Sequence, residues 1–314
     1  MVKVIVATPF QPHDKSLQQI EQLGFSVIPY SRQVGLTAEM SEAEVAVCTP
    51  DFLQNHLHQL PGLKLIQLCT TGYEAAPIQQ IEERKIIMCN ARGVMSIPIA
   101  EWVVLKILEL YKNTRFFLEA QKQRSWAKNM NQLELNGKTV CIVGTGSIGC
   151  EVAKRLAAFG CHLIGVDIRQ TQLEVFDRYC PVSEFAAALR QSDIVVLTLP
   201  YNAQTRHLIN EKTLAECKEG AILLNVSRGG IVDEAALLAA LNTGRLRGAA
   251  LDVFEQEPLP VNSPLWQHER VLVTPHIAFT SENFLPRLWT LILTNLQAYA
   301  SNQPLQNIVT GKEN

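Results

Sequence analysis

The sequence has no excess of charge of either sign. It contains 28 Lys or Arg and 30 Asp or Glu among 314 residues, which gives a formal net charge of −2, and its pI is near 6.4. Proteins that bind the phosphate backbone of nucleic acids need positive charge in excess. We therefore expect no nucleic acid partner. The length predicts two domains, each able to bury its own core.

Long hydrophobic runs are also missing. No apolar stretch reaches the roughly 20 residues that a membrane-spanning helix needs, so we expect no association with a membrane. The first ten residues, Met1 to Phe10, form a short strand-like run without the longer apolar core and cleavage signature of a signal peptide. The hydrophobic content of 47% and the charged content of 18% are ordinary for a globular enzyme.

The cysteines lack the spacing of a metal site. They show neither paired C-x-x-C motifs nor nearby histidines arranged as ligands, so no metal is expected. Reduced and mostly buried thiols are the better interpretation, and they favour a cytoplasmic location over secretion. The eight cysteines are Cys48, Cys69, Cys89, Cys141, Cys150, Cys161, Cys180 and Cys217.

Apolar segments alternate with amphipathic ones along the chain, and this alternation predicts parallel β-α-β units. A first series of predicted strands covers Val2 to Thr8, Phe25 to Tyr30, Val45 to Thr49, Leu63 to Thr70 and Lys85 to Asn90. A second series begins near Thr139 and continues over Cys161 to Asp167, Ile194 to Leu199, Ala221 to Val226, Gly248 to Phe254 and Val271 to Thr274. Two sheets are therefore expected.

Helical periodicity marks the two ends of the second series. Residues Ile97 to Gln121 repeat apolar side chains at helical spacing, which predicts one long connecting helix. Residues Asn283 to Ala300 are also amphipathic, and they are expected to return the chain to the first domain.

A glycine-rich turn is the clearest single motif. It lies between the predicted strand ending at Val143 and an amphipathic run from Ser147 to Phe159, which is the order strand, turn, helix. In a dinucleotide-binding turn the first glycine permits the bend, the second lets the backbone approach a pyrophosphate, and the third lets helix and strand pack closely. Free N–H groups at the helix start then bind phosphate. The motif is Gly144-Thr145-Gly146-Ser147-Ile148-Gly149.

An acidic residue ends the next predicted strand. Asp167 follows Gly149 by eighteen residues, where the dinucleotide fingerprint expects a carboxylate for the ribose hydroxyls. Because a carboxylate repels a 2′-phosphate, NAD is favoured over NADP. Arg169 is able to reach such a phosphate and keeps NADP open. The alternative for Asp167 is a capping or loop acid.

Three further residues follow predicted strands. Arg228 comes after the strand ending at Val226, and a guanidinium there can hold a carboxylate by two parallel hydrogen bonds. The glycines beside it indicate close backbone packing and not a free, solvated loop charge. His276 follows the last strand and suits proton exchange near neutral pH. Glu257, nineteen residues earlier, is a candidate partner that would favour imidazolium; alternatively, Glu255 and Glu257 are both exposed loop acids.

These segments together resemble the D-isomer-specific 2-hydroxyacid dehydrogenase family, from about Leu63 to His276 and more weakly outside that range. Several motifs occur in the family's order. They are Cys69-Thr70-Thr71-Gly72-Tyr73, Ile99-Ala100-Glu101, Leu135-Asn136-Gly137-Lys138, Asn225-Val226-Ser227-Arg228-Gly229-Gly230, Ala250-Leu251-Asp252-Val253-Phe254 and Val273-Thr274-Pro275-His276.

The resemblance implies an α/β fold in which a Rossmann-type dinucleotide-binding domain is inserted in a flavodoxin-like substrate domain, with catalysis in the cleft between them. We expect the substrate domain over residues 1–97 and 280–314, and the NAD-binding domain over residues 98–279. The resemblance also implies a homodimer built on the cofactor domains.

Residue roles follow from the same resemblance. Arg228 binds the substrate carboxylate and carbonyl, His276 is the acid/base, and Glu257 is its partner. Backbone N–H groups of Thr71, Gly72 and Tyr73 hold the carboxylate. A hydride then passes between nicotinamide and the keto carbon while His276 exchanges the proton, and the hydroxy acid is the D isomer. The residues implied around NAD are Gly144, Gly146, Ser147, Ile148, Gly149, Asp167, Arg169, Pro200, Val226, Asp252 and His276.

Related dehydrogenases that act on other substrates differ from this sequence at particular positions, and these differences limit the choice of substrate. Formate dehydrogenases carry a glutamine where Glu257 stands, and phosphite dehydrogenases carry a lysine in the segment matching Thr70 to Tyr73, so both are disfavoured. D-lactate dehydrogenases match at Ala278-Phe279, but Val94 stands where their tyrosine is expected. The substrate loops contain few positive charges, Arg92 being the nearest, so a phosphorylated substrate such as 3-phosphoglycerate stays open but is not supported. Glyoxylate and hydroxypyruvate are the leading expectations.

A non-enzyme alternative stays open, since some relatives are NAD(H)-sensing transcriptional corepressors that keep the same catalytic residues. The sequence has neither the long disordered segment nor the basic surface that a scaffolding role suggests. An NAD-dependent enzyme acting on a small 2-hydroxy or 2-keto acid is therefore the preferred interpretation.

Overall fold

A computed structural model describes residues 1–10, 14–169 and 174–309. The strands are β1 (Val2–Ala7), β2 (Phe25–Pro29), β3 (Val45–Cys48), β4 (Leu65–Leu68), β5 (Ile87–Cys89), β6 (Thr139–Val143), β7 (His162–Asp167), β8 (Arg178–Pro181), β9 (Ile194–Leu197), β10 (Ala221–Asn225), β11 (Leu246–Leu251) and β12 (Val271–Val273). The α-helices are α1 (Asp14–Gln22), α2 (Pro50–His56), α3 (Ile78–Glu83), α4 (Ser96–Tyr111), α5 (Thr114–Lys122), α6 (Ser147–Ala158), α7 (Phe185–Gln191), α8 (Glu211–Glu216), α9 (Glu234–Asn242) and α10 (Phe284–Ala300).

The chain divides into two compact units. Unit 1 comprises Met1–Met95 and Ser281–Asn314, and unit 2 comprises Ser96–Thr280. Unit 1 contains a five-stranded parallel sheet with the order β2-β1-β3-β4-β5. This is the order of flavodoxin-like doubly wound sheets.

Unit 2 contains a seven-stranded parallel sheet with the order β12-β11-β10-β9-β6-β7-β8. Counted from β6, the order is the 3-2-1-4-5-6 arrangement of dinucleotide-binding folds with one strand added at the edge. The central strands β9 and β10 are buried along their whole length. They are continuous apolar runs because helices cover both faces of such a sheet. The expected α/β fold class is confirmed in both units.

The predicted strands lie within three residues of the observed ones at each end. One expectation was wrong, and one strand was missed. The single helix predicted over Ile97 to Gln121 is two helices, α4 and α5, because Asn113 takes a left-handed conformation with φ of 51° and ends the regular helix. The strand β8 was not predicted, because it is a short edge strand that contains a charged residue and a proline.

All eight cysteines are free, and seven of them are buried. Burial raises the pKa of Cys69 to about 12, so that thiol is protonated at neutral pH. The expectation of reduced, mostly buried thiols is thus met. Over residues 1–10, 14–169 and 174–309 there is no cluster of three or more potential metal ligands. In the same ranges, no helix has the length and apolar character needed to cross a bilayer.

Candidate active site

The carboxyl ends of the strands of unit 2 lie along one edge of the sheet. Strand register aligns Val143 with Val166 and with Leu197, so the residues that follow them stand next to one another. The strand order reverses between β6 and β9, and ligands of open α/β sheets bind outside the carboxyl ends of the strands at such a point. This edge therefore carries the candidate site of unit 2.

The first and third glycines of the turn after β6 are required for different steric reasons. Gly144 has φ of 98°, and a Cβ there would lie 2.8 Å from the carbonyl of Thr198 at the end of β9. A Cβ on Gly149 would lie 2.1 Å from the carbonyl oxygen of Gly144, so only glycine lets α6 pack this closely on the turn. Thr198 donates a hydrogen bond to the same oxygen at 2.7 Å.

The middle glycine faces open space. A Cβ on Gly146 would have no protein atom within 4 Å, and α6 begins directly after it at Ser147. Ser147 is held by a hydrogen bond of 2.7 Å between its hydroxyl and that of Ser96. The first turn of α6, which includes Ile148, thus combines N–H groups with an approach that no side chain obstructs. This geometry fits the pyrophosphate of a dinucleotide.

Asp167 ends β7 beside this turn. Its Oδ2 accepts hydrogen bonds from the backbone N–H of Thr145 at 2.7 Å and from the Thr145 hydroxyl at 3.0 Å, and its Oδ1 accepts from the N–H of Arg169 at 3.1 Å. The carboxylate is only half-buried, which leaves it accessible to a ligand. Tyr179 of β8 contacts the Thr145 hydroxyl at 3.3 Å and donates to the carbonyl of Arg169. The carboxylate is therefore held in a fixed position.

The loop after β10 is packed tightly, as its two glycines indicated. A Cβ on Gly229 would lie 1.8 Å from the carbonyl carbon of Phe254, and one on Gly230 would lie 2.8 Å from the ring of Tyr201. Arg228, which precedes them, is half-buried and donates to the carbonyl of Ser227 at 2.7 Å. Its own carbonyl accepts a hydrogen bond of 2.9 Å from the Asn225 side chain. The loop therefore holds the arginine at the sheet edge.

The structure brings Glu257 and His276 together. Nδ1 of His276 lies 2.8 Å from Oε2 of Glu257, and the other carboxylate oxygen accepts a hydrogen bond of 3.0 Å from the N–H of Phe254. The exposed fractions of the two side chains are 45% for His276 and 36% for Glu257. Because a carboxylate only accepts, Nδ1 donates, and Nε2 is the nitrogen able to exchange a proton with a ligand.

Asp252 fixes the segment that carries His276. This aspartate is 2% exposed. Its Oδ1 accepts from the Thr274 hydroxyl at 2.6 Å and from the N–H of Ile277 at 2.9 Å, while Oδ2 accepts from the N–H of Ala278 at 2.9 Å. The N–H of His276 donates to the Asp252 carbonyl at 2.8 Å. These contacts stabilise the turn in which His276 has a φ of 50°.

The remaining predicted residues fall in separate parts of the chain. Pro200 and Val226 follow β9 and β10 in unit 2, and Val226 is buried. Thr71, Gly72 and Tyr73 follow β4 in unit 1. The Thr71 carbonyl accepts from the Asn90 side chain at 2.9 Å, and the Gly72 carbonyl accepts from the Thr70 hydroxyl at 2.8 Å. Both carbonyl groups are thereby fixed.

Sequence reasoning missed Thr145, Thr198 and Tyr179. Thr145 occupies the variable position of the glycine motif, and Thr198 follows β9, so position alone could have drawn attention to both. Tyr179 lies on the strand that was not predicted, and no signal in the sequence places its hydroxyl beside Thr145.

Three features lie on one edge of the unit 2 sheet: the dinucleotide turn at the switch point, the acid that ends β7, and the histidine–carboxylate pair. Together they define an NAD-dependent oxidoreductase. Residues 104–278 match the family described as "D-isomer specific 2-hydroxyacid dehydrogenase, NAD binding domain". The chain belongs to the D-isomer specific 2-hydroxyacid dehydrogenase family.

Proteins similar to the chain include reductases and dehydrogenases named as enzymes of this family. The chain is 38% identical over 247 residues to a glyoxylate reductase of Thermofilum pendens, and the aligned residues cover 76% of this chain and 72% of that protein. It is 30% identical over 279 residues to glyoxylate/hydroxypyruvate reductase B of Yersinia pestis, with coverage of 86% and 84%. A D-isomer specific 2-hydroxyacid dehydrogenase of Xanthobacter autotrophicus, solved with NADPH and MES, has 28% identity, a TM-score of 0.84 and coverage of 99% and 98%.

These findings support the expected reaction class and cofactor. NAD is the cofactor of the matched domain, and a relative that binds NADPH keeps NADP open. The corepressor alternative is not favoured.

Proposed function

We propose that the protein reduces a small unphosphorylated 2-keto acid, glyoxylate or hydroxypyruvate, to the 2-hydroxy acid with NADH, and that the product is the D isomer where it is chiral, as with hydroxypyruvate. The hydrogen bond of 2.8 Å between His276 and Glu257 carries the proposal, because formate oxidation needs no acid/base whereas keto-acid reduction needs a proton donor. The curated relatives named glyoxylate reductase and glyoxylate/hydroxypyruvate reductase support the choice of substrate.

The residues of the chain supply binding and the proton. When bound, NADH supplies the hydride, and the glycine turn and Asp167 hold its pyrophosphate and ribose. Nε2 of His276 gives its proton to the substrate oxygen, while Glu257 stabilises the imidazolium through Nδ1. Arg228 binds the carboxylate and stabilises negative charge on the oxygen as it develops. The N–H groups of Thr71–Tyr73 contribute to carboxylate binding. Pro200 and Val226 complete the cofactor site, and Asp252 supports it by fixing the turn that carries His276.

The two units take different tasks in this proposal. We infer that unit 2, Ser96–Thr280, is the NAD-binding domain and that unit 1 is the substrate domain. We propose a cytoplasmic location, in keeping with eight free cysteines.

We also propose that two copies form a homodimer through unit 2. Large apolar side chains are exposed there, namely Leu118 at 53%, Trp126 at 96% and Met130 at 86%. Contiguous apolar patches are typical of surfaces that another protein covers, and we infer that these side chains contribute to such a patch. Sedimentation equilibrium of the purified protein tests this, and a monomer at all concentrations would contradict it.

A panel of 2-keto acids with NADH and NADPH tests the proposed reaction. Glyoxylate and hydroxypyruvate are expected to give the largest kcat/KM, above pyruvate and above phosphohydroxypyruvate. Chiral analysis of the hydroxypyruvate product is expected to give the D isomer. Absence of turnover with every keto acid, despite measurable NADH binding, would refute the proposal.

A further inference from the structure

Three loops of unit 2 meet next to the histidine–carboxylate pair. The first follows β9 and contains His207, the second joins β10 to α9 and contains Arg228 with Glu234 at its end as the first residue of the helix, and the third follows β11 and contains Glu255. Neither Glu234 nor His207 has a place in the reaction proposed above. Their contacts nevertheless reach the residues that do.

Glu234 and Glu255 exchange hydrogen bonds between side chain and backbone. The N–H of Glu234 donates to Oε1 of Glu255 at 3.1 Å, and the N–H of Glu255 donates to Oε1 of Glu234 at 2.8 Å. Each carboxylate thus fixes the backbone of the other loop. The arrangement specifies the distance between the two loops as well as their orientation.

The same two loops are in direct backbone contact. Gly229 packs so closely on Phe254 and Glu255 that a Cβ would overlap the Phe254 carbonyl, at 1.8 Å from its carbon. His207 connects the loop after β9 to the other two. Its N–H donates to the Gly230 carbonyl at 2.8 Å, and its Nε2 lies 3.4 Å from Oε1 of Glu255. We call Glu234, Glu255 and His207 the loop clamp.

The loop clamp continues into the acid/base pair. Glu255 adjoins Phe254, whose N–H donates to Glu257 at 3.0 Å, and Glu257 contacts Nδ1 of His276 at 2.8 Å. On the other loop, Arg228 immediately precedes Gly229. A shift of the backbone at residues 254–255 would therefore move Glu257 relative to Arg228.

The clamp is held against electrostatic repulsion. Burial and the nearby charge of Glu255 raise the pKa of the Glu234 carboxyl, although the hydrogen bond from the Glu255 N–H lowers it. Two carboxylates this close repel each other, and the backbone N–H donors offset the repulsion. If the two carboxylates only stabilised the fold, an uncharged side chain in place of one of them would relieve the repulsion. Precise placement of the loops requires instead that both side chains keep an oxygen that accepts a backbone hydrogen bond.

We propose that Glu234 is a positioning residue for keto-acid reduction, acting with Glu255 and His207 to set Glu257 and His276 against Arg228. The inference rests on the roles proposed above for those three residues. Misplacement of a catalytic group by about 1 Å can cost roughly 100-fold in rate. Loss of the clamp should therefore lower kcat and leave cofactor binding unchanged.

The test compares Glu234→Ala, Glu234→Gln and the control Glu184→Ala. Glu234→Ala removes the acceptor for the Glu255 N–H, and we expect kcat for glyoxylate reduction to fall by about 10- to 100-fold with an unchanged Kd for NADH. Glutamine keeps an acceptor and removes the repulsion, so Glu234→Gln should restore most of the lost activity. Glu184, an exposed partner of Arg178 at 2.9 Å in the same unit, controls for loss of a surface ion pair.

A second measurement does not depend on turnover. The Nδ1–H proton of His276 should give an NMR signal protected by Glu257 in the unmodified protein and in Glu234→Gln, and a broadened signal in Glu234→Ala. Should Glu234→Ala prove poorly folded, Glu255→Ala provides the same comparison from the other loop. Unchanged kcat and an unchanged Nδ1–H signal in folded Glu234→Ala would overturn the inference. Failure of the unmodified protein to turn over any keto acid would instead refute the proposed reaction, and the NMR comparison would still decide the placement of His276.

Discussion

Two carboxylates that follow β11, Asp252 and Glu257, differ in what surrounds them. Asp252 is 2% exposed, and its side chain accepts three hydrogen bonds from residues 274–278. Glu257 is partly exposed and shares its two oxygens between one N–H group and the His276 imidazole. A buried acceptor that satisfies several donors stabilises a local structure, while a carboxylate paired with an accessible imidazole affects protonation. Their substitution should therefore produce different defects.

We expect Glu257→Gln to slow reduction more than oxidation at neutral pH. Reduction starts from imidazolium, which the negative charge of Glu257 favours, whereas oxidation of the hydroxy acid starts from neutral imidazole. Rates of both directions measured at neutral pH check this. In the comparison variant Asp252→Asn, the free energy of unfolding should fall by about 1–3 kcal/mol, because a buried N–H donor loses its acceptor. Equal loss in both directions for Glu257→Gln would remove Glu257 from proton transfer.

Asp167 should determine the preference for NADH over NADPH. In Asp167→Ala we expect weaker NADH binding, because the ribose hydroxyls lose their acceptor, and a smaller difference between the cofactors, because the repulsion of a 2′-phosphate disappears. The ratio of kcat/KM values for NADH and NADPH is the measurement, since general destabilisation affects both terms equally. A preference for NADPH in the unmodified protein would contradict the assignment, and Arg169→Ala would then be the variant to examine.

At the scale of elements, the parts that the sequence predicted are those governed by local rules. The glycine turn could be predicted because its spacing belongs to one strand–turn–helix unit. The central strands could be predicted because burial on both faces makes them apolar throughout. Strand β8 and the break at Asn113 were missed because edge strands and helix breaks leave weak apolar patterns. The contact between Glu234 and Glu255 joins two residues that lie 21 positions apart in the sequence, and no spacing rule predicts it.

Gly149 and Gly146 should differ sharply in what an added methyl group does. Gly149→Ala places a Cβ 2.1 Å from the Gly144 carbonyl oxygen, so α6 must move and unit 2 should be destabilised by several kcal/mol, about the upper range for overpacking. Gly146→Ala meets no protein atom within 4 Å, so stability should change little while NADH binding weakens. Thermal unfolding and NADH titration of the two variants separate these effects. Normal NADH affinity in Gly146→Ala would argue against a pyrophosphate at this turn.

At the scale of the whole molecule, unit 1 is assembled from two distant parts of the chain. Helix α10 from the second part contributes Asn295, whose side chain donates to Gln67 of β4 at 2.6 Å. Tyr299, from the same helix, donates to Glu44 at 2.6 Å. Asn295 and Gln67 are both fully buried, so separating them would leave polar groups without partners. These polar contacts specify where the second part of the chain packs on the first.

The contact between Tyr299 and Glu44 should make the stability of unit 1 depend on pH. The Tyr299 hydroxyl, followed by Lys64, lowers the pKa of Glu44 below its ordinary value of 4.5. A lowered folded-state pKa contributes stability that is present above the unfolded value and is lost as pH falls through the folded value. Burial and then Glu44 raise the pKa of Tyr299 above its ordinary value of 10.0, so its contribution is present below pH 10 and is lost as pH rises further.

Tyr299→Phe removes this hydroxyl and keeps the ring, so it should cost about 1 kcal/mol of unfolding free energy at pH 7. The difference from the unmodified protein should shrink as pH falls from 4.5 through the lowered pKa of folded Glu44, and again as pH rises from 10 through the raised pKa of folded Tyr299. Urea unfolding measured from pH 3.5 to 10.5 checks both limbs. In a Glu44→Gln background the tyrosine substitution should cost less and lose its acid limb, because no carboxylate remains. A constant difference across the pH range would mean that the Tyr299 ring contributes the stability and its hydrogen bond to Glu44 does not.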